Sequence, residues 1–441
     1  MRGFLVAVAA FMALTVALWL GSGYLVRPPS DVELKLMIWG SPDEISTVRG
    51  YVKTFRQRHP EIDVKIQHVA DMGYRQKLNT RFRGGEPPDV FYVAYEDFVG
   101  VANRSWLLPL DDLIANDPEF KSSDFFPEVY EKFRYEDGKL YGVVKDFATL
   151  VVYYNKDLFD KYDVPYPKRG WTWDDFLETA RKLTHAENRE YGCVLETWPG
   201  IWFPWVWSSG GKILEFDGDT PRWVLGDPKY LDKNARAFQF LADLIWKHGV
   251  EPSPSVTRDQ GVGDMFVTGQ IGMCAYGRWK CMTFKHIKDF DWDVVEMPRL
   301  EREATTLFPV CYSIARDTKH KGASWQLLKF LTSREAQVDV ANSGQAIPSM
   351  KSVAESPAFF KPAALKGLEV DARPNITSVA FADPGPAILT WQEVRETLRM
   401  GLEGLWNGTR RDARELLQEL QKPLSDVVAT EKQVRADARG R

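Results

Sequence analysis

The sequence predicts an α/β fold built from more than one domain, on three observations. Between Glu33 and Val93, strand and helix patterns alternate with short joints, the order that lays a parallel sheet under covering helices. A length of 441 residues exceeds what one hydrophobic core usually sustains. With 44% hydrophobic and 27% charged residues, the chain has the composition of a soluble globular protein.

The elements follow in order. Glu33 to Trp39 alternates as a strand, because successive side chains of a strand face opposite sides. Ser41 is placed to cap the next helix, Pro42 suits its first turn and Glu44 completes a capping box. Ile45, Val48, Val52 and Phe55 keep helical spacing until His59-Pro60, and Ile62, Val64 and Ile66 alternate again. Tyr74, Leu78 and Phe82 mark a second helix stopped by Gly84-Gly85, and Asp89 to Val93 is a third strand. Leu150 to Tyr154 is a later strand. Thr172 caps a helix carrying Trp173, Phe176, Leu177, Ala180 and Leu183, and Leu231 to Ile245 gives another, closed by Gly249. Two helices end the chain, one with Trp391, Val394, Leu398, Leu402 and Leu405, the other with Ala413, Leu416, Leu417 and Leu420. The charged stretch after Val434 is expected to fray.

Several function classes drop out. A net charge of -4 supplies no basic surface for nucleic acid. There is no G-x-S-x-G elbow, no G-x-x-x-x-G-K-[ST] loop and no H-E-x-x-H pair. None of the six histidines is spaced with another as a metal ligand, so no metal and no cofactor are expected. The four cysteines, Cys193, Cys274, Cys281 and Cys311, fit no zinc pattern and are either disulfide-bonded or buried thiols. At the N-terminus, Arg2 precedes an apolar run from Phe4 to Leu20, then Gly21, Ser22 and Gly23. That is the layout of an export signal, or of an uncleaved anchor, since the run to Val26 almost reaches membrane-spanning length. No cysteine stands before Cys193 to carry a lipid.

In a parallel sheet, ligands sit at the carboxyl ends of the strands. That rule puts Trp39 to Glu44 and Ala94 to Asp97 on one rim. Further along, Gly84-Gly85-Glu86-Pro87-Pro88-Asp89-Val90 resembles a segment of the extracellular solute-binding proteins of ABC transporters, in their maltose-binding-protein-like, sugar-binding group. The resemblance continues in order through Leu107 to Leu113, Asp137 to Gly142, Tyr154 to Phe159, Trp171 to Phe176, Phe266 to Met273 and Lys319 to Trp325. It implies a two-lobed α/β fold with several hinge crossings, near Asp146, Thr306 and Ile347-Pro348, and a ligand cleft between the lobes. Residues 31–146 and 307–348 would form lobe one, and 149–305 and 350–430 lobe two. Residues 1–30 would be the signal or anchor, and 431–441 a charged tail.

Candidate contacts come from the rim and from the resemblance. Trp39, Ser41, Asp43 and Glu44 follow the first strand, and Tyr95, Glu96 and Asp97 the third. A carboxylate there can accept two sugar hydroxyls, or can face a helix dipole. Ser41 is as readily a cap, and Trp39 as readily core. Asp146 lies beside the hinge strand. Trp198, Trp202, Trp205 and Trp207 form an aromatic run, of which one or two members, Trp202 foremost, would face the cleft while the rest are core. Tyr276 and Trp279 match the family's aromatic contribution from lobe two, Tyr312 follows the return crossing, and Arg395 could donate a bidentate bond from its helix. The expected function is non-enzymatic capture of a sugar or polyol outside the cytoplasm, by a monomer, for delivery to an ABC permease. The alternatives are an exported carbohydrate-active enzyme with two cleft carboxylates and a binder of another solute, such as a phosphorylated polyol.

Overall fold

The computed structural model describes residues 30–218, 220–431 and 433–435. The apolar N-terminal run and the end of the charged tail lie outside them. The strands of the first half are β1 (Val32–Ile38), β2 (Ile62–His68), β3 (Val90–Ala94), β4 (Val143–Thr149), β5 (Val151–Asn155) and β6 (Tyr191–Val194). There follow β7 (Leu214–Asp217), β8 (Thr220–Trp223), β9 (Ile271–Tyr276), β10 (Trp292–Val295), β11 (Thr305–Ile314), β12 (Ile347–Pro348) and β13 (Ala382–Asp383). The helices that shape the cleft and the second core are α1 (Pro42–Arg58), α2 (Asp71–Arg83), α3 (Tyr95–Asn103), α4 (Pro199–Ser208), α5 (Leu231–Trp246), α6 (Trp391–Asn407) and α7 (Ala413–Ala429).

Two sheets define two lobes. The first runs β12-β4-β11-β3-β1-β2, with β13 also paired to β11, and the second runs β10-β5-β9-β6. Only β1, β2 and β3 form the parallel array expected from sequence. The first sheet is mixed, because β11 re-enters from the other lobe and so lies antiparallel to both β3 and β4. Each lobe has its own core. Leu34, Leu36, Phe55, Phe91 and Phe147 belong to the first, and Phe176, Trp202, Trp205, Phe238 and Leu402 to the second.

Local chemistry sets the ends of the helices. The Ser41 hydroxyl accepts from Glu44 N (3.3 Å), and Thr172 and Asp175 form a reciprocal capping box. Glu44 does not close a box with Ser41, because its carboxylate turns inward to Lys145. The side chain of Glu431 accepts from the amides of Leu389 and Thr390 (2.9 and 3.0 Å) and so satisfies backbone donors just ahead of α6. All four cysteines are free and buried. Among the described residues, no helix is long and apolar enough to cross a membrane.

The hinge is narrow. Only Leu150 separates β4 of the first sheet from β5 of the second, so the chain passes between the two sheets at Thr149–Val151. Leu150 N donates to Thr306 O (3.0 Å) and Thr305 Oγ1 donates to Leu150 O (2.6 Å), which ties the outgoing strand to the returning one. The third crossing falls later than Ile347-Pro348. Strand β12 stays in the first sheet against β4, and Val353, Ala354 and Phe359 pack in the first core. The chain joins the second core for good at Ile388. Residues 350–360 therefore belong with lobe one, because their apolar side chains are buried there.

Candidate functional site

Between the lobes lies a cavity of ≈ 520 Å³. Lobe one supplies Trp39 from the end of β1, Tyr74 and Arg75 from α2, and Tyr95, Glu96 and Asp97 from the first turn of α3. This is the rim expected at the carboxyl ends of β1 and β3. Lobe two supplies Trp198 and Phe203 from the start of α4, Trp279 after β9, and Trp391 and Arg395 from α6. Phe308 to Val310 of β11 close the hinge side.

The backbone behind Trp39 is forced by packing. Gly40 has φ +143°, and a Cβ there would stand 2.2 Å from the Glu44 carboxylate, so a larger residue fits neither the dihedral nor the space. Trp39 is fixed edge-on against Tyr74 and Tyr92, with ring centres 4.6 and 5.0 Å away. On the opposite side, the Trp279 and Trp198 rings meet Phe308 at 5.1 and 5.6 Å. Trp39, Tyr95, Trp198, Trp279 and Phe308 all remain partly exposed, so aromatic surface from both lobes faces one wet space.

The polar groups form one connected cluster. Arg75 reaches Asp97 (2.6 Å) and Glu96 (3.1 Å). From lobe two, Arg395 Nη1 donates to the same Glu96 oxygen (3.0 Å), while Trp391 Nε1 donates weakly to the other (3.4 Å). Two guanidinium groups thus meet two carboxylates, and Glu96 is held from both lobes at once. Burial pushes the Asp97 carboxyl up to about 6, against the pull of Arg75. At the cleft margin, Lys285 of lobe two binds Asp43 of lobe one (2.7 Å) and holds that carboxyl below its ordinary range. Among the described residues, no group of three or more His, Cys, Asp or Glu converges as a metal site would require.

Of the residues singled out from sequence, Trp39, Tyr95, Glu96, Asp97, Trp198, Trp279 and Arg395 line the cavity. The others lie elsewhere, each for a physical reason. Ser41 is occupied as a cap. Glu44 and Asp146 flank the buried Lys145 ammonium, Glu44 at 3.0 Å and Asp146 in direct contact. Tyr312 is buried behind Tyr92, hydroxyl to hydroxyl at 3.4 Å. Trp202 is core, packed on Phe203 and Phe238. Tyr276 is one layer back. Its hydroxyl donates to Glu196 (2.7 Å), and the other Glu196 oxygen accepts from Trp198 Nε1 (2.6 Å), so Tyr276 braces a residue that does line the cavity.

Sequence reading missed Tyr74, Arg75, Phe203, Phe308 and Trp391 as cavity residues. Tyr74 and Trp391 belong to apolar helix stripes packed in the cores, and nothing in that spacing signals that they also reach the cavity. Arg75 carried no signal, because one arginine on a helix is usually a solvated charge.

The comparisons with known proteins agree with this two-lobed fold. The family described as bacterial extracellular solute-binding protein matches residues 39–338. An ABC substrate-binding protein from Listeria monocytogenes, solved in complex with cycloalternan, superposes with a TM-score of 0.81 at 26% identity, covering 90% of this chain and 99% of that one. The maltotriose-binding protein of Pyrococcus abyssi is 23% identical over 73% of this chain and 68% of its own length. The galactooligosaccharide-binding protein of Bacillus subtilis is 22% identical over 82% of each.

Proposed function

The chain belongs to the bacterial extracellular solute-binding proteins, and on that premise we propose that it captures a neutral sugar or polyol outside the cytoplasm and hands it to an ABC permease. The observation that carries this reading is aromatic surface from both lobes facing one cavity whose polar groups are already paired. Trp and Tyr rings lie flat on the apolar faces of sugar rings, while Glu96, Asp97, Arg75 and Arg395 can exchange hydrogen bonds with hydroxyls. Because the two arginines are neutralised by the two acids, a neutral solute suits the cavity better than a phosphorylated polyol. Trp39, Tyr95, Glu96, Trp279 and Arg395 are the proposed contacts, with Arg75, Trp198 and Trp391 added.

Binding rather than turnover is the proposed role. Glycoside hydrolysis needs two carboxyl groups flanking the bond, roughly 5–9.5 Å apart. The cavity's acids, Glu96 and Asp97, are neighbours on one helix turn and share Arg75. A monomer that closes about the Thr149–Val151 hinge, as hinged binding proteins do, completes the proposal. The relatives' names offer cycloalternan, maltotriose and galactooligosaccharides as first ligands to try. The test is calorimetry with these and with simple hexoses and polyols, beside small-angle scattering with and without the ligand that binds. Saturable binding with a smaller radius of gyration and no product is expected. Steady product formation, or no carbohydrate bound across the panel, refutes the reading.

A further inference from the structure

The molecule holds a second, larger cavity of ≈ 750 Å³, away from the cleft. Its wall is the segment Phe360–Arg373, closed by Arg278 and Asp293 of lobe two. Arg278 is buried, with 1% of its surface exposed, and carries a guanidinium cation. Its compensation is slight. Nη2 makes one long bond to Phe359 O (3.4 Å), and the group lies over the Phe359 ring at 4.3 Å. Nε and Nη1 have no hydrogen-bond partner, and among the described residues no carboxylate pairs with Arg278. A buried charge without a counter-charge is costly, so this arrangement asks for an anion.

The acids of the wall do not serve. Asp293 accepts from the amides of Val294 and Asp371 (2.8 and 2.7 Å), and Asp371 is paired with Arg373 (2.7 Å). Glu369 is exposed. Lys361 and Lys366, also exposed, add two positive charges to the wall. We propose that this cavity is a binding site for a small oxyanion, a phosphoryl or carboxylate group, with Arg278 as its buried anchor and Lys361 and Lys366 drawing the ligand in. The fork of guanidinium donors fits either group.

The experiment is calorimetric titration of the purified chain with inorganic phosphate and, separately, with malonate, ionic strength being held with sodium chloride. Saturable one-site binding of at least one probe is expected. Saturation by phosphate alone assigns a phosphoryl group, and by malonate alone a carboxylate. Arg278→Lys and Arg278→Gln should weaken it roughly tenfold or more, the paired change Lys361→Gln and Lys366→Gln by about two- to fivefold, and Arg395→Gln in the cleft not at all. If the Arg278 variants fail to fold, the lysine pair, on exposed positions, decides. The proposal is overturned if neither probe saturates, if the affinity is unchanged in every Arg278 and lysine variant that folds, or if Arg395→Gln abolishes binding.

Discussion

Replacing Lys145 with Met should be among the most damaging single changes in lobe one. The ammonium lies 3.0 Å from Glu44 Oε1, touches Asp146 Oδ2, and sits 4.8 Å from the centre of the Tyr92 ring. All three charged side chains are nearly inaccessible, at 9%, 12% and 7% for Lys145, Glu44 and Asp146. Methionine keeps the volume but leaves two buried carboxylates facing each other. Removing one partner of a buried ion pair typically costs about 3–5 kcal/mol. The loss should also depend on pH. Burial already raises the Asp146 carboxyl despite Lys145, and without the ammonium it rises further above its unfolded value. The native state then holds more protons than the unfolded one, so stability falls as pH rises, and the deficit is larger at pH 8 than at pH 5. Urea unfolding at the two pH values measures it. Adding Glu44→Gln and Asp146→Asn to the Lys145 variant should restore part of the loss, because the buried charges go too. A destabilisation under about 1 kcal/mol, or one with no pH dependence, refutes the argument that this triad is a closed charge cluster.

Three further outcomes follow from the geometry. Trp279→Ala should weaken the bound carbohydrate about tenfold or more by calorimetry, since a stacking face is lost, while the unfolding midpoint changes little. Glu96→Gln keeps the shape but removes the charge that Arg75 and Arg395 share, and should cost roughly ten- to a hundredfold in affinity; an unchanged constant removes Glu96 from the site. Glu251 is buried with one backbone donor, Leu195 N (3.2 Å), and burial pushes its carboxyl up to about 8. Its folded value lies above the unfolded one, so wild-type stability should decline as pH rises through that interval, and Glu251→Gln should flatten the decline in denaturant titrations at pH 5, 7 and 9.

What the sequence determined by itself was everything encoded locally. Alternation located β1 and β2, and the run Asp89 to Val93 located β3, whose residues Val90 to Val93 are all buried. Ser41, Thr172, Gly85 and Gly249 marked helix ends, because caps and left-handed turns demand particular residues. The rule that ligands lie at strand carboxyl ends then brought Trp39, Tyr95 and Glu96 to the cavity without any partner in view. The tertiary structure decided what depends on distant neighbours. Glu44 and Glu96 follow their strands in the same way, yet one is buried against Lys145, 101 residues away, and the other faces the cleft. Tyr276 and Trp279 sit three residues apart, but only Trp279 clears the core to reach the cavity. The antiparallel entry of β11, the single-residue hinge at Leu150 and the stay of residues 350–360 in lobe one were set by long-range pairing. No local signal carries these, because a side chain's role depends on the packing and charge of whatever the fold places beside it.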